Sequence, residues 1–123
     1  MTAAQRGKAG EELAADFLQE KGYRIIARNF HCRGGELDIV AAKDEILAFV
    51  EVRTRKKGGM VSPVESVTAA KRKKVIAAAY AFLEEHSEWQ QTMQPRFDLF
   101  LIEADGDAPE DWQTDYLCDA FQL

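Results

Sequence analysis

Between Ala9 and Lys21 the apolar positions fall at Leu13, Ala14, Phe17 and Leu18, the spacing of an amphipathic helix, and Gly22 supplies its stop. At about 100° per residue Glu12, Asp16 and Gln19 share the polar face, while Glu11 lies at the border of the apolar stripe and alone is placed to reach inward. The pattern then changes to that of strands. Tyr23 to Phe30 is rich in Ile, Tyr and Phe, and His31 to Gly35, with its Gly34-Gly35 pair, reads as a turn. Glu36 to Ala42 and Ile46 to Thr54 follow as two strands joined by Asp44-Glu45. With those two residues as the turn, facing positions have numbers summing to 89. Leu37, Ile39 and Ala41 then meet Val52, Val50 and Ala48 on one apolar face. The other face pairs Val40 with Phe49, Asp38 with Glu51 and Glu36 with Arg53, a register that a one-residue slip would destroy.

Lys56 to Met60 is a basic, glycine-containing loop, followed by Ser62-Pro63-Val64-Glu65, a capping box with Pro at the first helical position. The helix that starts there breaks near Ser66 to Thr68, where Thr68 caps again, and runs to about Glu85. Lys71, Val75, Ala78 and Phe82 lie on one side of it, so Lys71 points along the buried stripe, unlike Arg72 and Lys73. Arg96 to Ala104 is a strand, Asp105 to Asp111 an acidic turn, and Trp112 to Cys118 a last strand pairing back. The order is α-β-β-β-α-β with an added C-terminal strand.

A chain of 123 residues, 46% of them hydrophobic, fits one domain over residues 1–123 with a core of its own. No apolar run approaches a membrane span, and Met1 to Gly10 has no apolar signal core, so a soluble cytoplasmic protein is expected, without a membrane partner. Cys32 and Cys118 have neither disulfide nor zinc spacing and read as buried or idle thiols. His31 and His86 are isolated, with no acid or nucleophile at a motif spacing. The net charge of −5 hides an asymmetry: residues 1–83 carry 15 basic and 10 acidic side chains, and residues 84–123 carry one and 11. Phosphate binding, if present, belongs to the first two thirds, whereas the acidic C-terminal segment suits a protein partner or solubility.

The chemistry concentrates on the hairpin. Two carboxylates opposite one another on neighbouring strands repel, and something must offset that cost. Mg²⁺ or Mn²⁺ held by Asp38 and Glu51 would do so, because such ions take one or two protein carboxylates together with waters and phosphate oxygens. The plainer alternative is an Asp38 protonated or solvated at a sheet edge, with Glu36 and Arg53 as a cross-strand ion pair.

Gly10-Glu11, the run from Gly35 to Val40, Phe49 to Arg55, Lys71, Arg96-Phe97-Asp98 and Ala120-Phe121 together resemble the uncharacterised bacterial YraN-like family. That family is similar to restriction-endonuclease-like and Holliday-junction-resolvase-like nucleases, whose signature is an acid on one strand and (Asp/Glu)-x-Lys on the next. The resemblance implies a restriction-endonuclease-like mixed sheet flanked by helices and Mg²⁺-dependent hydrolysis of phosphodiester bonds in DNA or branched nucleic acid. In it Asp38 and Glu51 hold the metal, Arg53 stands where Lys is usual, and Glu11 matches a helix-one glutamate near such sites. Lys71 and Arg55 would contact the nucleic-acid backbone or the transition state. Lys56, Lys57, Arg72, Lys73 and Lys74 flank this place and are candidates for phosphate contacts. Guanidinium stays protonated and prefers bidentate anion contacts, so Arg53 also fits a rival reading, a non-catalytic nucleic-acid-binding or adaptor protein on the same fold.

Overall fold

The computed structural model describes residues 1–57 and 67–122. Along the chain lie α1 (Ala3–Glu20), β1 (Arg24–Cys32), β2 (Gly35–Lys43), β3 (Ile46–Lys56), α2 (Ala69–Glu85), α3 (Ser87–Thr92), β4 (Gln94–Ala104) and β5 (Gln113–Phe121), with a short 3₁₀ turn over Pro109–Asp111 before β5. Among the described residues the strands form one mixed sheet in sequence order, β1 to β5; only the β3–β4 pair is parallel, and α2 lies on the connection between them. This is the α-β-β-β-α-β order with a C-terminal strand that the residue pattern predicts. The Ser62–Glu65 capping box and the Gly58-Gly59 pair lie outside the described residues.

Each face of the sheet is covered by one long helix. Ala14 and Leu18 of α1 pack on Ile39, Ala41, Ala48, Val50, Phe100 and Ile102. Val75, Ala78 and Phe82 of α2 pack on Val40, Leu47, Phe49, Phe97 and Leu99. Burying a side chain such as Phe82 or Phe49 stabilises the fold by about 1.5–3 kcal/mol, so these two stripes seat the helices.

Helix α1 starts earlier than its apolar stripe. Thr2 caps it, accepting a hydrogen bond from the Gln5 backbone N–H while the Gln5 side chain accepts from Thr2 N–H, a reciprocal capping box. It stops where Gly22 takes φ +93°, with Tyr23 N–H bonded to Leu18 O and Gly22 N–H to Gln19 O. Asp44, at φ +53°, turns β2 into β3, so the two-residue turn and its register hold from Lys43↔Ile46 to Ile39↔Val50. Thr68 caps α2 by accepting from Lys71 N–H. Strand β1 runs past Phe30 to Cys32, so the turn shrinks to Arg33-Gly34. Cys32 is half-buried, but Cys118 is exposed on β5 and no buried thiol. No helix is long and apolar enough to cross a membrane among the described residues.

Candidate active site

The β2–β3 ladder ends at Ile39↔Val50, one residue short of the acids. Asp38 and Glu51 are therefore not a cross-strand backbone pair, as the extended register requires. Instead Asp38 turns its carboxylate into the gap and its Oδ2 accepts a hydrogen bond from Val52 N–H at 2.8 Å. A side-chain acceptor has taken the place of a main-chain carbonyl, and the strands part where it does so. On the other side of β2 the Asn29–Asp38 rung is missing between Arg28↔Ile39 and Phe30↔Leu37, with the register unchanged, and Asn29 takes φ +52°. Asn tolerates that conformation better than most residues. The opening has a further consequence for the faces. Leu37 packs in the α2-side core with Val40 and Phe49, not with Ile39 on the α1 side as strict alternation predicts.

Two glycines let the helices approach this gap. A Cβ on Gly35 would sit 1.9 Å from the backbone oxygen of Lys74, so the start of β2 lies directly against α2. A Cβ on Gly10 would meet Thr54 Oγ1 at 2.6 Å and Ile102 Cδ1 at 2.7 Å, which fixes α1 close over β3. Each glycine precedes an acid, and the close approach carries Glu36 to α2 and Glu11 toward Asp38.

Lys71 enters from α2. Its Nζ donates to Glu36 Oε1 at 3.0 Å and stands 3.5 Å from Glu51 Oε1. Burial works against its charge, but the bond to Glu36 and the nearby Glu51 outweigh that and hold it protonated. Glu36 thus pairs with Lys71 and not with Arg53, which removes the ion pair of the plainer alternative. Its other oxygen lies 3.5 Å from Nδ1 of His31, so His31, isolated in the sequence, does have an acid beside it. His86 stacks on the ring of Phe82 at 4.2 Å, away from these acids in a structural position.

Glu51 is 3% exposed, and its Oε2 has no hydrogen-bond partner among the described residues. Burial, and then the charge of Asp38, raise its pKa well above the usual carboxylate range. Asp38 is raised too, chiefly by burial, with the Val52 N–H and Lys71 working the other way. Half-buried Glu11 shows the same direction from burial and from Asp38. Exposed or well-paired acids behave oppositely: the Lys71 bond lowers Glu36, and the Arg28 bond lowers Glu12. Asp38 and Glu51 thus lie together, with Glu11 of α1 near enough to feel Asp38, and burial outweighs the charge of Lys71.

The donor set suits a hard divalent cation carrying two protein carboxylates, with the orphaned Glu51 Oε2 available to it. No cluster of three or more His, Cys, Asp or Glu side chains stands ready around one point among the described residues, so a cage built of protein alone is absent there. Arg53, half-buried on β3 beside Leu101, has no hydrogen bond or ion pair among the described residues. Lys56, Lys73 and Lys74 are exposed, Arg55 and Arg72 half-buried, and Lys57 is exposed and lies 3.5 Å from Asp105.

Residue patterns do not single out a second polar centre. Asp98, wholly buried on β4, receives hydrogen bonds from Arg96 Nε at 2.8 Å, from Arg96 Nη2 at 2.7 Å, from Asp119 N–H at 2.9 Å and from the Tyr116 hydroxyl. Arg96 in turn donates to the Tyr23 hydroxyl at 2.6 Å. Its signal is the Arg-x-Asp spacing, which puts both side chains on one face of a strand.

Fold and site together define a mixed α/β protein with a carboxylate pair opened between two strands and a lysine brought in from the crossover helix. Residues 10–102 match the model of the uncharacterised protein family UPF0102, and the chain belongs to that family. It is 38% identical over 117 residues to a UPF0102 protein of Clostridium perfringens, covering 95% of this chain and 93% of the relative. A UPF0102 protein of Nocardia farcinica is 47% identical over 97 residues, 78% of this chain and 74% of its own. One from Geobacter sulfurreducens is 42% identical over 118 residues, 95% and 88% of the two chains.

Proposed function

We propose that this protein is a divalent-metal-dependent nuclease acting on phosphodiester bonds of DNA or branched nucleic acid. The observation that carries the reading is the buried Glu51 carboxylate, one oxygen unpartnered, set beside Asp38 with the Lys71 ammonium 3.5 Å away. Burying two acids together is costly, and such a cost is retained where it does chemistry.

Asp38 and Glu51 would hold Mg²⁺ or Mn²⁺, which supplies a water of lowered pKa and neutralises charge on the phosphate. The protein's own groups do the rest. The Val52 N–H fixes Asp38 Oδ2 beside Glu51. Glu36 holds Lys71 Nζ beside Glu51 as a compact, mobile cation that can meet a phosphoryl oxygen or the attacking water. That ammonium offers, from the helix, what guanidinium at Arg53 lacks. Arg53, with no partner among the described residues, is left to face an anionic substrate, and Glu11, near Asp38, would add negative charge to the site.

The test is cleavage of single-stranded, duplex, flap and four-way DNA with Mg²⁺ or Mn²⁺. The expected result is cleavage of at least one substrate, abolished by EDTA and by Asp38→Asn or Glu51→Gln. Binding without cleavage by wild type on every substrate would favour the non-catalytic reading, and Arg53→Lys would then be the variant to examine for weak activity.

A further inference from the structure

Beside the carboxylates a half-open groove of about 880 Å³ runs between α1 and the C-terminal end of β3. Five cations line it, Arg6 and Lys8 from α1, Arg28 from β1, and Arg55 and Lys56 from β3, against the two acids Glu11 and Glu12. Arg28 is matched to Glu12 at 2.7 Å, so the positive charge offered to a ligand is that of Arg6, Lys8 and Lys56. Arg6 and Lys8 stand in the first two turns of α1, which hold no acid in the first turn. The helix dipole favours acids there and disfavours cations, so this charge pattern works against the helix's own stability. Its inner end reaches the site: Val52, whose N–H holds Asp38, and Glu11, which senses Asp38, both line it. At the outer end Asp105 lies 3.5 Å from Lys57, and Asp107 lies 3.4 Å from the amino terminus, so acids bound the positive stretch. Among the described residues no aromatic side chain lines the groove, so it lacks the ring platforms on which bases stack. Charge without stacking surface recognises a sugar-phosphate backbone rather than bases.

We propose that this groove is the track for one sugar-phosphate strand of nucleic acid, held by Arg6, Lys8 and Lys56 and led by them to Asp38 and Glu51. The proposal rests on the nuclease reading and specifies where its substrate lies: over α1, not across Arg72 to Lys74 on α2. Because the contacts are to phosphate, binding depends on salt and not on base sequence.

The experiment is fluorescence anisotropy in EDTA, where no cleavage intervenes, with labelled single-stranded and duplex oligonucleotides at about 50 and 200 mM salt. The triple variant Arg6→Gln, Lys8→Gln, Lys56→Gln is compared with Lys73→Gln, Lys74→Gln. The groove variant is expected to lose about 10-fold or more in affinity and to flatten the salt slope by about one for each phosphate contact removed. The α2 variant should change less than about threefold. Loss on the single strand alone means that the track takes an unpaired strand; loss on both means one strand of a duplex. Wild-type affinity in the groove variant, or equal losses in the two variants, overturns the track while leaving the nuclease reading standing. No binding of either oligonucleotide by wild type at the lower salt overturns both. Lys8→Gln, Lys56→Gln changes only exposed side chains and repeats the test if the triple variant melts early.

Discussion

Asp98 and Glu51 are both buried acids on the neighbouring strands β4 and β3, and they differ in how their oxygens are used. Asp98 is saturated, with Arg96, Tyr116 and the Asp119 N–H on its two oxygens. Burial and donation to Asp98 hold the Tyr116 hydroxyl protonated far above its usual range. Glu51 keeps one oxygen without a partner and has Asp38, a like charge, as neighbour. A satisfied acid ties β4, β5 and Tyr23 at the head of β1 together; an unsatisfied one stores an electrostatic cost that a cation can discharge. The same residue class therefore serves architecture at one place and is available for chemistry at the other.

The largest effect should come from the saturated acid. Asp98→Ala leaves the Arg96 guanidinium without its main partner and is expected to cost about 3–5 kcal/mol in urea unfolding. A loss below about 1 kcal/mol would erase the contrast between the two centres. Glu51→Gln should act the opposite way, removing a metal response rather than the fold. If Mn²⁺ reaches 100 times its dissociation constant, wild type gains about 2.7 kcal/mol, seen as a higher melting temperature, and Asp38→Asn and Glu51→Gln gain none. Retained protection in both variants would place the ion elsewhere.

Gly35→Ala should cost about 1–3 kcal/mol, since its methyl group meets backbone that has no side-chain freedom to yield. It should also weaken the metal response by moving Lys71, whereas Gly7→Ala, at a half-buried position with open space around an added Cβ, should do neither. Last comes pH. Folding raises the pKa of Glu51 from 4.5 to about 8, so between those values the folded chain holds more protons than the unfolded one. Its stabilising share is present below about pH 4.5 and is lost as pH rises toward 8. Metal-free Glu51→Gln should therefore be more stable than wild type at pH 8 by at least about 1.4 kcal/mol, the worth of one pKa unit. The advantage should vanish at pH 4.5, and equal melting curves at both pH values would contradict the burial argument.

Features set by neighbouring residues are legible in the sequence. The stop of α1 at Gly22, the Asp44-Glu45 turn and the α2 stripe containing Lys71 each follow from periodicity or local turn chemistry. The first two turns of α1 escape that reading because Ala3 to Lys8 has no apolar stripe, although Thr2 and Gln5 carry a capping signal. The choice of Asp38, Glu51, Glu11 and Lys71 as neighbours rests on residue type, alternation and family resemblance, and the structure does bring them close. Their geometry is not legible. An acid that captures Val52 N–H interrupts the ladder, and no alternation rule anticipates that or the change of face at Leu37. The contact of Lys71 with Glu36 joins residues 35 positions apart and depends on Gly35 having no side chain. The Asp98 network likewise needs Tyr23 ahead of β1 and Tyr116 and Asp119 of β5, two distant places in the chain.

The parallel β3–β4 pairing bears on how the molecule assembles in time. Every rung, from Ile46↔Gln94 to Lys56↔Ala104, joins residues 48 positions apart, so closing it costs the entropy of a long loop before any contact is gained. The β2–β3 hairpin, closed by a two-residue turn, has no such delay and can fix Asp38 against Val52 N–H first. The acids are thus placed by the fast, local part of folding. Lys71 and the cover over Glu51 arrive only when α2 docks and β4 zips alongside. During that interval Glu51 is open to water, so the proposed divalent ion would reach the carboxylates before the sheet closes over them.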